Sequence, residues 1–498
     1  MKRLLTIAAC VVLAVLSASA QERIPCDRSL LASGTRAVSS GTRDSYSGNR
    51  VSRTTGRARI PVILAAFTNQ GFSLPDTENR AYWDAILNQS GYSEHGATGC
   101  VADYFKKQSG GLFEPVFDVI GPVMLPETVG YYGKNRGGKK GEDVNVRGMV
   151  YDACVAANID LAPYSWSGDS IVDVVMVVFA GPGENRGGLP ENIWPQKDHL
   201  MWKELNGMEL TLFACVSELR NKTALDGYGT FVHEFSHCLG LPDLYPISDS
   251  SVYSYFDEWD LMDGGNYIHN GFSPPNYSAL ERWICDWYDF KELTAPATIS
   301  DMPAWDDEPV AYVIRNDDNP EEYYILENRQ QRGFDFYVPG NGLLVTHVTG
   351  YTKGDLFPNS ASSSRIRLIY ADNRNYRESE AFFGSDNHFT TDGRSNYLSL
   401  SAYPYIVGDS LNNHLTKASI PAMQFDKPIS NITMDAEGRI SFDFMKEGTG
   451  IDHSVTVREI EDEEVWFDLQ GRRLPCLPQS KGIYIVRKGK SVNKVYKP

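Results

Sequence analysis

The chain has 498 residues, too many for one hydrophobic core and enough for two to four domains. Hydrophobic residues make up 42% and charged residues 22%, with plentiful Tyr, Phe and Trp, the balance of a folded soluble protein rather than a long disordered chain. The net charge of −17 argues against a nucleic-acid partner, because no broad basic surface is implied.

The N-terminus reads as an export signal over 1–20. Lys2 and Arg3 precede an apolar run from Leu4 to Leu16, and Ala18-Ser19-Ala20 offers small residues for cleavage before Gln21. Cys10 follows Ile7-Ala8-Ala9 in a faintly lipoprotein-like way, but the apolar residues continue past it, which favours simple cleavage. The run is too short for a good membrane span, and no other segment reaches that length. The mature protein is expected to be secreted or at the cell surface. Seven scattered cysteines then remain (Cys26, Cys100, Cys154, Cys215, Cys238, Cys285 and Cys476), with no C-x-x-C pair. That rules against a disulfide scaffold or a thiolate zinc site, is compatible with one or two disulfides, and leaves at least one thiol over.

Residues 21–58 are rich in Arg, Ser, Thr and Gly without apolar periodicity, as in a pro-segment or linker. From 59 to 294 the pattern is mixed. "RIPVILAAFT" reads as a first buried strand, and "YWDAILNQSGY" and "CVADYFKKQSGGLF" as helices ended by glycine. "FEPVFDVIGPVML" reads as paired strands, "VNVRGMVYDACVAA" as a helix, and "IVDVVMVVFAG" as a buried central strand followed by a long irregular stretch. Over 295–446 short strand-like runs alternate with turn residues, from "EPVAYVIRND" to "RISFDFM", predicting an all-β, sandwich-like domain. Residues 455–498 read as a small C-terminal β module. Its part from 472 to 498 carries eight Lys or Arg and no acid.

"GTFVHEFSHCLGLPDLY" (229–245) carries the chemistry. His233 and His237 are four apart and share one face of a helix, where both imidazoles can reach one zinc ion. Val232, Phe235 and Leu239 form the apolar stripe that anchors it. Glu234 is placed to take a proton from a metal-activated water rather than to ligate. Gly240 can end the helix in a left-handed conformation and Pro242 reinforces the stop, so that Asp243 turns back toward the same metal. Glu258, twenty-one residues after His237, is the rival third ligand, though Gly240 and Pro242 then have no purpose. The ordinary reading, a buried amphipathic helix with satisfied histidines, does not account for Gly240 and Asp243 together.

The spacing H-x-x-x-H-x-x-G-x-x-D is similar to that of metzincin-type zinc hydrolases, with Asp in place of the usual third His. "WDLMDGG" (259–265) then resembles their methionine turn, with Met262 packing under the metal. Tyr267 could hydrogen-bond a tetrahedral oxyanion, although a packing role is the plainer expectation. Across roughly 59–400 the chain resembles the immune inhibitor A family of secreted bacterial zinc peptidases. The resemblance rests on "HEFSHCLGLPDLY", "WDLMDGGNY", "GATGCVADYFKKQSGGLFEPVFDVIGPV", "VVMVVFAGPGENRGG", "ENIWPQ", "SPPNYSALERWICDW", "EEYYILENRQ" and "GNGLLVTHV".

The resemblance implies an α+β (mixed) metzincin-like catalytic domain, followed by the sandwich-like domain and the C-terminal module. It implies a zinc metalloendopeptidase acting on proteins or peptides, with His233, His237 and Asp243 as ligands and Glu234 as general base. The family's acidic calcium loop is reduced here to Asp169 and Asp173 in "YSWSGDSIVD", which leaves little for a Ca2+ ion. The C-terminal stretch resembles terminal modules of exported Bacteroidetes proteins, some of which contact a secretion machinery. A plain basic hairpin is the equal alternative. Cys26 could cap the open zinc position before processing. The rival functions are a surface-binding or adhesive protein with a vestigial zinc fold, and a zinc hydrolase acting on a non-peptide amide.

Overall fold

The computed structural model describes residues 50–246, 255–355, 357–360, 363–371, 402–407, 410–419, 422–446, 464–467, 482–488 and 491–497. The export signal, residues 21–49 with Cys26, Cys476, and most of the C-terminal stretch lie outside the described residues.

Val- and Ile-rich runs build the first sheet. Strands β1 (Gly56–Ala66), β2 (Phe113–Met124), β3 (Ile171–Pro182), β4 (Gln196–Leu205) and β5 (Met208–Leu219) lie in the order β2-β1-β3-β5-β4. All neighbours are parallel except β4, which runs antiparallel to β5 on the edge. Because side chains alternate along a strand, β3 feeds two cores. Val174, Met176 and Val178 join helices α2 (Val101–Gln108) and α5 (Gly229–Leu239) on one face. Val175, Val177 and Phe179 join α4 (Val146–Ala157) on the other. Helices α1 (Asp76–Asn88), α3 (Val129–Gly133) and α6 (Ala279–Ile284) complete the layer set.

Two expectations need correction. The segment 113–124 is one strand rather than two. Gly121 sits at φ 97°, where the β1–β2 register shifts. A Cβ there would lie 2.8 Å from Val123 N and 2.9 Å from Leu64 O, so glycine accommodates a bulge, not a reversal. The stretch before α5, expected to be irregular, contains the β4–β5 hairpin. Asn206 (φ 54°) and Gly207 (φ 77°) form its two-residue turn.

Residues 50–55, expected within a linker, belong to the fold. Val51 N donates to Cys238 O (2.9 Å) at the end of α5, and Ser52 N donates to Asp173 Oδ1 (2.9 Å). Thr54 Oγ1 donates to Cys285 O (2.9 Å), and Trp287 Nε1 donates to Thr54 O (2.7 Å). The five described cysteines, Cys100, Cys154, Cys215, Cys238 and Cys285, are buried thiols.

After 290 the regular elements among the described residues are strands, apart from the short 3-10 helix Gly333–Asp335. β6 (Lys291–Glu292), β8 (Ala311–Arg315), β9 (Glu322–Arg329), β10 (Gly342–Thr349) and β13 (Ile366–Ile369) form a sheet in the order β13-β10-β9-β8-β6, while β7 (Ala297–Met302), β16 (Ile429–Met434) and β17 (Ile440–Phe444) form a second, β16-β17-β7. Two small hairpins, β11 (Asn359–Ser360) with β12 (Ser363–Ser364) and β14 (Tyr405–Val407) with β15 (Ser410–Asn412), decorate them. Leu326, Val345 and Ile314 pack against Ile440, Phe442 and Phe444 between the two sheets. The opposite face of the larger sheet (Ala311, Val313, Ile325, Leu344) enters the same core as α2 and α5. One apolar core therefore crosses position 294/295, within a compact unit that ends at Lys446.

A polar network ties the two parts together where that core ends. Arg329, 1% exposed, donates to Asp335 Oδ2 (2.8 Å), Asp335 Oδ1 (2.5 Å) and Glu327 Oε1 (3.0 Å). Glu327 Oε2 accepts from Ala279 N (2.8 Å) at the start of α6, and Asp335 Oδ1 accepts from Asn276 N (2.9 Å). The second compact unit, Glu447–Pro498, contains the antiparallel sheet of β18 (Glu464–Phe467), β19 (Gly482–Lys488) and β20 (Ser491–Lys497). No helix among the described residues is long and apolar enough to cross a membrane.

Removing Arg329 leaves two buried carboxylates without their counter-charge. Arg329→Met is expected to cost about 3–5 kcal/mol in chemical denaturation; a loss under 1 kcal/mol would contradict the tie. A chain beginning at Gly56 should be less stable than one beginning at Arg50 by about 3 kcal/mol, the sum of several lost hydrogen bonds. Equal unfolding midpoints would show that residues 50–55 contribute nothing.

Candidate metal centre

Helix α5 is buried along its whole length, so its polar residues face protein rather than solvent. Its end is a Schellman motif. Gly240 at φ 103° donates to His237 O (3.0 Å), and Leu241 N donates to Ser236 O (3.1 Å). The reversal brings the Leu241 carbonyl back over the helix, where it accepts from His237 Nδ1 at 2.8 Å. His233 Nδ1 is held in the same way by Leu261 O at 2.9 Å. A carbonyl oxygen can only accept, so both Nδ1 atoms carry the proton and both Nε2 atoms present a lone pair.

Those two lone pairs converge on one oxygen. His233 Nε2 lies 3.3 Å and His237 Nε2 3.2 Å from Asp243 Oδ1, with all three side chains buried. The rings stand nearly perpendicular, 4.8 Å apart between centroids. Burial alone would push the Asp243 carboxyl up; positive charge at the His237 and His233 positions outweighs it and holds the group well below the usual range, and with both rings neutral at Nε2 that charge must come from a cation between them. Two imidazole nitrogens and a carboxylate oxygen within 4.8 Å of one another suit a zinc-type cation. Among the described residues this is the one such group of three or more. It contains Asp243 and not the rival Glu258, which lies in the 3-10 turn Asp257–Trp259.

The turn at 260–265 acts mainly through its backbone. Leu261 O orients His233, and Met262 O accepts from Leu244 N (2.9 Å), fixing the residue after Asp243. Met262 itself is fully buried. Asp260 Oδ1 accepts from Met262 N (2.8 Å), and Asp263 Oδ2 accepts from Tyr255 N, Phe256 N and Asp257 N at 3.1, 2.9 and 3.0 Å. The sequence marked Asp263 only as part of a tight-turn signature and gave Asp260 no role, although an Asp on either side of the Leu-Met pair is a turn-capping signal.

Glu234, 1% exposed, lies beside His233 on α5. Tyr267 is half-buried. Asn185 Nδ2 donates to its hydroxyl at 3.4 Å, and the Arg186 guanidinium lies 4.3 Å above its ring while pairing with Asp226 at 2.9 Å. The loop 183–187 that holds Tyr267 falls within the segment "VVMVVFAGPGENRGG" that carries the family resemblance, but nothing in the sequence assigned Asn185 and Arg186 a role of their own. The carboxylates considered for calcium serve the backbone instead. Asp173 accepts from Ser52 N and Trp166 N, and Asp169 accepts from Ile171 N. Neither enters a three-ligand group among the described residues.

Residues 68–291, which include this centre, match the family model described as the immune inhibitor A peptidase M6 catalytic domain. Two curated relatives, each named pre-pro-metalloprotease PrtV, come from Vibrio cholerae serotype O1 strains M66-2 and ATCC 39315 / El Tor Inaba N16961. Each is 24% identical over 231 residues, covering 40% of this chain and 25% of the relative. The match thus spans about a quarter of the relatives' length.

Replacing Asp243 by Asn keeps its shape but removes the charge. Zinc affinity, measured by chelator competition, should fall by at least about 100-fold. Unchanged affinity would take Asp243 out of the centre.

Proposed function

We propose, on the premise that residues 68–291 belong to the immune inhibitor A family of M6 peptidases, that the protein is a zinc endopeptidase acting outside the cytoplasm on protein substrates. The observation that carries the reading is the convergence of two tautomer-fixed imidazoles on the Asp243 carboxylate. His233, His237 and Asp243 would hold the ion. When bound, zinc supplies Lewis-acid activation of a water and of the scissile carbonyl.

The chain's own residues do the rest. Glu234, next to a ligand and screened from bulk solvent, takes a proton from the attacking water and returns it to the leaving amine. Leu241 O and Leu261 O keep the imidazoles neutral at Nε2 and correctly turned. Tyr267, with Arg186 over its ring, is a candidate hydrogen-bond donor to the carbonyl oxygen as it gains charge. The extracellular location rests on the N-terminal export pattern, and contact with a secretion machinery on the basic C-terminal module.

Casein digestion separates the readings. Wild type should cleave and lose activity to a chelator. Glu234→Gln should keep its zinc and lose about 100-fold to 10,000-fold in kcat/KM. Cleavage that survives Glu234→Gln would remove Glu234 as the base. Zinc-loaded wild type without cleavage would favour an adhesive protein with a vestigial fold.

A further inference from the structure

Beneath the turn that orients the metal centre lies a pair of buried acids. Asp260 and Glu281, each 1% exposed, adjoin one another, and Asp260 Oδ2 and Glu281 Oε1 are buried oxygens that no protein donor reaches. The other oxygens are engaged: Asp260 Oδ1 accepts from Met262 N (2.8 Å), and Glu281 Oε2 accepts from Ser278 N (2.6 Å) and Ser278 Oγ (3.0 Å). Two carboxyl groups can hydrogen-bond only if a proton lies between them.

We propose that Asp260 and Glu281 share one proton, and that this proton holds the turn whose carbonyls orient His233 and the Asp243 segment. Both are positioning residues for the metal centre. The path is short. Asp260 fixes Met262 N, Leu261 O fixes His233 Nδ1, and Met262 O fixes Leu244 N. Glu281 caps α6, so the pair also fastens that helix to the turn.

The charges around the pair favour the shared proton. Burial pushes Asp260 up to about 7 and Glu281 well above the ordinary carboxylate range. Asp263 of the same turn adds a like charge, and the phenols of Tyr104 and Tyr277 face Asp260 from α2 and from the segment before α6. Arg329 of β9 is the facing cation, but its guanidinium already bonds Glu327 and Asp335. With both acids ionised the pair would repel, and the turn would lose its anchor. A raised carboxyl pKa means the folded state keeps a proton that the unfolded chain releases near pH 4, so the pair's contribution weakens as pH rises from about 4 through 7.

This proposal rests on His233 being a metal ligand, and the experiment keeps the two claims apart. Zinc affinity of the full chain is measured by chelator competition from pH 6 to pH 9 for wild type, Glu281→Gln, Glu281→Ala and His233→Ala. Glutamine offers an N–H to Asp260 in place of the shared proton, and that donor does not titrate. Glu281→Gln should bind within about 3-fold of wild type at pH 6, and wild type should lose about 10-fold relative to it by pH 9. Glu281→Ala should be at least about 10-fold weaker at pH 6. A wild-type to Glu281→Gln ratio that stays constant across the range would overturn the proposal, and it decides alone if Glu281→Ala does not fold. If His233→Ala binds zinc as wild type does, the metal centre itself falls, and the pair's role with it.

Discussion

Three electron-rich atoms facing one another need a positive charge among them. In this protein the atoms are His233 Nε2, His237 Nε2 and Asp243 Oδ1, and each imidazole's proton is committed to a backbone carbonyl on its far side. An imidazolium could meet the need, but only by charging a ring in a buried site. A divalent cation meets it while using all three lone pairs. Much of the surrounding architecture serves to keep that arrangement from relaxing.

The helix stop at Gly240 creates the arrangement. Had α5 continued, Leu241 O would be occupied within the helix and Asp243 would point away from the histidines. The left-handed residue reverses the chain within one turn, and the returning carbonyl and carboxylate both act on the helix they have just left. The 260–265 turn closes the other side. It is in turn carried by Asp260 and Asp263, and the neighbouring α6 is fastened to strand β9 through Glu327, which Arg329 pairs. The β-rich part is thus a buttress for the centre as well as a unit with its own core. The larger sheet is buried on both faces, one against β16 and β17 and the other against the core shared with α5.

The centre was legible in the sequence because its signals are local. Two histidines one turn apart, a glycine three residues on and an aspartate three further are all fixed by helix geometry and a single stop. The central strand β3 and helix α4 were legible for the same reason, through short-range periodicity. What lay hidden depends on distant partners. Arg329 reads as an ordinary charged residue until Glu327, Asp335 and α6 enclose it. Residues 50–55 read as a linker because their value lies in hydrogen bonds to Asp173, Cys238 and Cys285. Two misses were avoidable in principle: Asn206-Gly207 between apolar runs is a hairpin signal, and Gly121 within β2 fits a bulge as readily as a turn.

X-ray absorption at the zinc edge of the purified protein addresses the ligand set directly. The account predicts one zinc per chain with only nitrogen and oxygen neighbours at about 2.0–2.2 Å, imidazole scattering from two rings, and no sulfur shell. A sulfur neighbour near about 2.3 Å, or a single imidazole, would contradict it.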